Sequence, residues 1–258
     1  MEQNRLVTIV TPMFKGAPFI GEAIDSVVRQ TYENWEMIIV DDCSPDNGAG
    51  IEIVERYMAM DSRINLFALA ENKGSSGARN TGIRAARGDF IAFLDSDDLW
   101  SEHFIEKQLD FMERRKADIA FSSYRRIHEK SKKEILAPFI VPPRVNYKAI
   151  LKSLPIFPST AVMDISRIGK FYFDESMGCV RDDYVFWLNI LKHHVGYAHG
   201  NREVLASYRL RSDSVTANKF KMIRPHWNVL RKVEQMPFLK SAFYLGCWIY
   251  KSFWKYVR

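Results

Sequence analysis

The chain has 258 residues, 47% of them apolar and 26% charged, with a formal net charge of +6. That balance excludes a disordered chain and suits one compact α/β domain, or a domain followed by a helical tail. The basic excess favours anionic partners such as phosphate-rich ligands, membrane headgroups or nucleic acid, without choosing among them.

The three cysteines, Cys43, Cys179 and Cys247, are far apart and share no metal-ligand spacing. Neither a disulfide framework nor a zinc site is expected, and a reducing cytosol fits best. Met1-Glu2-Gln3-Asn4 has no basic segment followed by an apolar stretch, which predicts no signal peptide. No uncharged apolar stretch reaches about 18 residues, so no membrane-spanning helix is expected.

In chain order, Leu6–Thr11 reads as a buried strand. Ile20, Ile24, Val27 and Val28 then fall at helical spacing behind Pro18. Met37–Val40 is a second strand ending at Asp41-Asp42, and Ile51, Val54 and Met58 mark a second helix. Ile64–Leu69 is a third strand, Ser76–Ala86 a helix closed by Gly88, and Phe90–Leu94 a fourth strand ending at Asp95. Ile105, Leu109 and Met112 share a helix face, and Ile119–Ser122 is a fifth strand. This alternation predicts a mostly parallel sheet with helices on both faces.

The second half is less regular. Arg125–Lys133 is a charge run that reads as a solvated hairpin or loop, and Pro138, Pro142 and Pro143 mark an exposed connection. Asp182–His194 predicts a helix and Val204–Leu210 a strand. From Asp213 onward the pattern is helical, with a break near Pro237.

Polar clusters follow several strands, and in open α/β sheets ligands bind outside the carboxyl ends of strands. Thr11–Lys15, Asp41–Asp46 and Asp95–Asp98 can therefore converge on one crevice. In Asp95-Ser96-Asp97-Asp98, two carboxylates separated by one residue can reach a single hard cation, Mg²⁺ or Mn²⁺. The competing reading is an N-cap for a helix beginning near Ser101. In Asp41-Asp42-Cys43-Ser44-Pro45-Asp46, a carboxylate can accept from a base-edge N–H or a ribose hydroxyl, or serve turn and cap chemistry. Gly74-Ser75-Ser76-Gly77-Ala78-Arg79-Asn80 can set backbone N–H groups and Arg79 beside a phosphate, or simply lead a loop into a helix. Asp182-Asp183 opens a helix carrying Phe186 and Trp187; one of the pair can be a general base, or both can offset the helix dipole. His193 and His194 are adjacent, point to different faces and read as surface or packing residues.

These pieces, in this order, resemble the inverting family 2 glycosyltransferases with the GT-A fold. The resemblance runs through Val7–Lys15, Ser26–Trp35, Ile38–Ser44, Asn72–Gly82, Gly88–Trp100 and Arg181–Leu188. The chain departs from the family pattern at Lys15, where Asn is usual, and at Asp182, where Glu is commoner. By this resemblance Asp42 reads the base N–H with Asp41 beside it, and Pro12 and Phe14 line the nucleotide. Arg79 lies near the phosphates. Asp95 and Asp97 form the D-x-D pair, with Asp97 closest to a Mn²⁺ or Mg²⁺ ion. Asp182 is favoured as the base, with Asp183 kept. Leu205–Val215 and Asn218-Lys219 resemble a smaller group, bacterial transferases building teichuronic acid, capsule or lipopolysaccharide side chains. There Arg209 and Lys219 approach the diphosphate.

The resemblance implies a UDP-sugar donor, an acceptor glycan that can be lipid-linked, no nucleic-acid partner, and a cytoplasmic or peripheral membrane location. It divides the chain into a GT-A domain over 1–212, with a donor half 1–122 and an acceptor half 123–212, and a helical extension over 213–258. A nucleotidyltransferase is a weaker reading, because Thr11–Gly16 lacks a Gly-rich basic loop. A D-x-D phosphatase needs a nucleophilic Asp after the first strand, where this chain has none. A non-catalytic glycan- or partner-binding subunit is the alternative of a different class. In the tail, aromatics crowd Phe238–Arg258, and Lys240, Lys251, Lys255 and Arg258 fall on one helical stripe, predicted to lie opposite Trp, Phe and Leu. That pattern suits contact of 238–258 with an anionic membrane surface, or a helix packed on protein.

Overall fold

The structure is a computed structural model that describes residues 5–177, 180–210 and 222–257. The chain begins with β1 (Val7–Met13), α1 (Ile20–Val28), β2 (Trp35–Asp41), α2 (Ala49–Met60), β3 (Ile64–Ala68), α3 (Gly74–Ala85) and β4 (Phe90–Phe93). It continues with β5 (Leu99–Trp100), α4 (Phe104–Arg115), β6 (Ile119–His128), β7 (Glu134–Phe139), β8 (Arg144–Val145), α5 (Tyr147–Ile150), β9 (Ala161–Asp164) and α6 (Ile165–Ile168). Then come α7 (Asp182–His193), β10 (Ala198–Leu210), α8 (Ile223–Asn228) and α9 (Phe238–Val257). The strands form one sheet in the order β3-β2-β1-β4-β9-β6-β10-β5, with β7 on β6 and β8 on β10.

Side chains alternate across the strands and split the core in two. Ile9, Met37 and Ala92 face α1, α2 and α4 through Ile24, Val54 and Ile105. Val10, Ile91 and Phe93 face the other way, onto Ile83 of α3 and Tyr184, Phe186 and Trp187 of α7. The order β3-β2-β1-β4 reverses direction at β1, and right-handed crossovers require the helices to change face there. The crevice at the carboxyl ends of β1 and β4 is thus a topological switch point. Gly82 lets α3 lie close on β1: a Cβ there would meet Val10 Cγ1 at 2.5 Å.

The expected parallel sheet is present in β3, β2, β1 and β4. Beyond β4 the sheet is mixed. β9 runs antiparallel to both β4 and β6, and β6 and β10 pair in parallel. The strand signal at Val204–Leu210 is the end of a longer strand that begins at Ala198. The charge run 125–133 spans a hairpin as expected, β6 to β7, yet Arg126 within it is buried. Val229, Leu230 and Met236, beyond the expected boundary at 212, belong to the same apolar cluster as Val10 and Phe93. The expected break at Pro237 falls just before α9.

Candidate active site

At the ends of β1 and β2, the Asp42 N–H donates to Met13 O at 2.8 Å and joins the two loops. Lys15 and Cys43 hold positive φ of 53° and 55°. Asn tolerates that left-handed region better than Lys, which accounts for Asn at this place in the family pattern. Here the Lys15 N–H donates to Ser44 Oγ at 2.9 Å and secures the loop through backbone. Phe14 is 44% exposed at the rim, and Pro12 is half-buried beside Val40.

Turn and cap chemistry does occupy part of this acidic loop. Asp42 Oδ1 accepts from the Lys73 N–H at 2.7 Å, just ahead of α3, and Asp46 Oδ2 accepts from the Gly50 N–H at 3.2 Å. Burial raises the Asp42 pKa against the lowering by the Lys73 and Gly74 N–H groups. Asp41 differs. Its Oδ2 accepts from the Ser44 N–H at 3.1 Å, while the buried Oδ1 has no partner. Thr11 Oγ1 and Asp46 Oδ1 are also buried without partners. Unpaired buried oxygens are rare in folded proteins, and three around one crevice are acceptors that a bound ligand or water can meet.

After β4 the chain turns through Asp95–Asp98, closed by the Asp98 N–H donating to Asp95 O at 3.0 Å. The N-cap alternative fails here, because the turn runs into β5 and α4 starts only at Phe104, with His103 at its cap. Ser159 Oγ pins the turn from behind: it accepts from the Asp95 N–H at 3.0 Å and donates to Asp98 Oδ2 at 2.6 Å. Asp98 is buried, and burial, together with the charges of Asp97 and Asp95, pushes its pKa well up. Arg209 completes the clasp. Its N–H donates to Asp98 Oδ1 at 3.0 Å, and its guanidinium donates to Asp97 O, Glu129 O and Glu22 Oε2 at 2.6–2.7 Å. Arg209 was expected at the diphosphate. At 2% exposure and with these partners it anchors the acidic turn. Lys219, its expected companion, lies outside the described residues.

Arg79, in the second turn of α3, joins this turn to α7. Nη2 donates to Asp95 Oδ1 at 2.7 Å and Nη1 to Asp182 Oδ2 at 3.2 Å. Burial pulls the Arg79 pKa down, but the two carboxylates outweigh it and the net shift is upward. Asp182 Oδ2 also accepts from Ser75 Oγ at 2.8 Å and Ser76 Oγ at 3.0 Å. Asp183, beside it, accepts one backbone N–H, from Tyr184, at 2.7 Å. Burial and the neighbouring Asp182 charge push the Asp183 pKa up to about 6. The structure thus brings Asp95, Arg79, Asp182 and Asp183 together from three distant segments. Arg181, just before the pair, holds φ of 70°.

The Asp95 and Asp97 carboxylates offer only oxygen, which fits Mg²⁺ or Mn²⁺ when a diphosphate and water complete the shell. Among the described residues no group of three or more acidic, His or Cys side chains could hold an ion unaided. Asp95 Oδ1 already faces Arg79, so Oδ2 and Asp97 are the oxygens that fit. Ser159, Ser75, Ser76 and Asp98 carried no sequence signal as a set, since hydroxyls serve structure everywhere. His193 and His194 are exposed at the far end of α7.

The profile of glycosyl transferase family 2 matches residues 8–174, which includes the nucleotide loops and acidic turn and stops before Asp182. The chain is 36% identical over 239 residues to the putative teichuronic acid biosynthesis glycosyltransferase TuaG of Bacillus subtilis, covering 92% of each. It is 35% identical over 240 residues to the UDP-Glc:alpha-D-GlcNAc-diphosphoundecaprenol beta-1,3-glucosyltransferase WfgD of Escherichia coli, covering 93% of this chain and 90% of that one. The mannosyltransferase PcManGT of Pyrobaculum calidifontis, solved with GDP-Man and Mn²⁺, superposes with a TM-score of 0.67 at 18% identity. That match covers 94% of this chain and 70% of PcManGT. A GT-A fold with its acidic loops at the switch point, matched by the family profile over residues 8–174 and by relatives along nearly its whole length, places this chain in glycosyl transferase family 2.

Proposed function

We propose that this chain transfers a sugar, with inversion, from a UDP-sugar to a hydroxyl of a lipid-linked acceptor glycan in bacterial surface-polysaccharide synthesis. The observation that carries the reading is Arg79, which ties the D-x-D turn at Asp95 to the acidic pair of α7. Leaving-group and acceptor machinery thereby share one buried cation. The UDP donor and lipid-linked acceptor follow what WfgD is named for.

In this reading Pro12 and Phe14 line the base. The unpaired Oδ1 of Asp41 accepts from the uracil N–H or a ribose hydroxyl, with Asp42 beside it. Asp42, expected to read the base with Asp41 beside it, already holds the start of α3 through one oxygen. A bound Mn²⁺ or Mg²⁺, held by Asp97 and Asp95 as the ion in PcManGT suggests, supplies positive charge against the departing diphosphate.

Asp183 is the base in preference to Asp182. Three side-chain donors already occupy Asp182 Oδ2, whereas Asp183 accepts one backbone N–H. A carboxylate near pH 6 is closer to the pKa that serves proton transfer at neutral pH. As the acceptor oxygen bonds to the anomeric carbon, its proton passes to Asp183. The bond from that carbon to the diphosphate oxygen breaks with its electron pair going to UDP. One displacement inverts the anomeric centre. Turnover of a UDP-sugar panel with a polyprenyl-diphosphate-linked GlcNAc acceptor tests this, with and without EDTA. Inverted product and loss of turnover under EDTA are expected; retained configuration, or full activity under EDTA, contradicts it.

A further inference from the structure

Charge is unevenly placed along the chain. Of 37 Lys and Arg, seven lie in residues 222–258, against one of the 31 Asp and Glu. Residues 1–221 therefore hold thirty of each, and the whole excess of +6 belongs to the last segment. Its single carboxylate, Glu234, is 4% exposed and is taken inside by Lys192, at 2.7 Å, and by the Tyr147 hydroxyl. The segment itself has no other Asp or Glu.

Helix α9 is amphipathic in an inverted sense. Ser241 and Trp248 face the protein and are buried. The opposite side presents Leu239 at 81%, Phe243 at 59% and Tyr250 at 66% exposure, four and seven residues apart and so on one face. Exposed Ala242 and Gly246 complete that face, which carries no charged residue. Lys240 and Lys251 are exposed along one flank, between the outer and inner faces. They lie beside the outward aromatics rather than opposite them as expected, and Trp248, expected on the outer side, is buried. A surface helix normally turns its polar side to water. An outward apolar face edged by lysines is instead the pattern of a helix lying in a lipid interface, with lysine stems along the apolar layer and ammonium groups at the headgroups. No described helix is long and apolar enough to cross a membrane.

The inner side of α9 leads to the site. Trp248 stacks on His226 at 4.6 Å, His226 stacks on Tyr184 at 4.8 Å, and Arg181 lies over Trp248 at 4.5 Å. Tyr184 follows Asp183 directly. We infer that the outer face of α9 docks on an anionic lipid bilayer and holds the acidic pair of α7 behind it, set back by the helix diameter of roughly 10–12 Å and by the stacked rings of His226 and Tyr184. The role assigned to that placement rests on the reading of a lipid-linked acceptor; the docking itself does not.

The test is sedimentation of the full chain with vesicles of phosphatidylglycerol and phosphatidylcholine, and with phosphatidylcholine alone. Wild type binds the anionic vesicles at low salt and is released by high salt. Leu239→Glu with Phe243→Glu weakens binding about tenfold or more, while thermal unfolding is unchanged because both side chains are exposed. Lys240→Gln with Lys251→Gln gives a similar loss on anionic vesicles only. Met60→Glu, at a 73% exposed apolar position in α2, changes nothing. Unaltered binding by the Leu239/Phe243 variant overturns the assignment. So does a wild-type dimer that ignores vesicles and dissociates in that variant, which would give the face to a second copy. Vesicle binding without transfer from any donor would sink the catalytic reading and leave the docking standing.

Discussion

The two ends of the parallel strands are both rich in charge and differ in how completely it is paired. At the amino ends Arg5 forks onto both oxygens of Asp164, at 3.0 and 2.8 Å, and reaches Ser166. Glu36 accepts from the Thr8 hydroxyl, the Arg87 N–H and the Arg87 guanidinium, and Thr8 in turn accepts from the Gly88 N–H. A cleft of about 660 Å³ opens at this end, lined by Arg5, Asp164 and Glu106 among others, and contains none of the residues expected at the active site. At the carboxyl ends buried oxygens of Thr11, Asp41 and Asp46 and the Arg79 Nε have no partner. Trp35 Nε1, at the start of β2, is also buried without a partner, but the unpaired carboxylate oxygens and the Arg79 Nε lie at the carboxyl ends. Saturated ion pairs at the amino ends hold strands together, whereas an acidic cluster with open valences costs stability and is positioned for a ligand.

The contrast is sharpest for Asp183→Asn. Transfer should fall by about 10² to 10⁴-fold while UDP-sugar binding, read by thermal shift, is kept. The same variant should be the more stable protein. A carboxyl whose folded pKa is raised contributes stability below the ordinary carboxylate range and loses it as pH rises through about 6. Removing the charge should therefore add about 1–2 kcal/mol at neutral pH, measured by denaturant unfolding. Arg79→Met should do the reverse, leaving the buried Asp182 and the half-buried Asp95 without their cation and destabilising by roughly 3–5 kcal/mol. If that variant unfolds like wild type, Arg79 is not the link between the two segments.

Glu36→Gln should break the contrast from the other end. It weakens the Arg87 and Thr8 contacts and destabilises by about 2–3 kcal/mol, with kcat unchanged in the enzyme that remains folded. Bonding from Thr8 and Arg87 outweighs burial and lowers the Glu36 pKa. Its contribution is full above the ordinary glutamate range and is lost as pH falls through the lowered value. The wild-type decline in stability on acidification should thus be shallower in this variant. The smallest effect is expected for Ser159→Ala, about 1–2 kcal/mol and a rise of a few fold in donor KM, because Asp98 and the Asp95 N–H each lose one partner.

The amino half was legible because β1, β2 and β4 are apolar runs buried along nearly all their length and α1, α2 and α4 carry an apolar stripe, so these elements fall where periodicity sets them. β9 was not, since Ala161–Asp164 is four residues long and gains its strand state only from β4 and β6 on either side. The acidic motifs were legible as candidates, but local spacing cannot say which carboxylate is already engaged. Asp42 holds the Lys73 N–H just ahead of α3, and Arg79, Ser75 and Ser76 converge on Asp182 from more than a hundred residues away. The Arg209 clasp was hidden for the same reason, since local spacing gives no hint of Glu22, 187 residues earlier.

The assignment of the base is tested most directly by the pH dependence of kcat/KM for wild type, Asp183→Asn and Asp182→Asn. Wild type should show an ascending limb near pH 6, the ionisation of Asp183. In Asp182→Asn, which removes the charge that helps raise that pKa, the limb should move to lower pH. In Asp183→Asn it should vanish from a rate that is low throughout. An ascending limb near pH 6 that survives in Asp183→Asn would contradict the assignment.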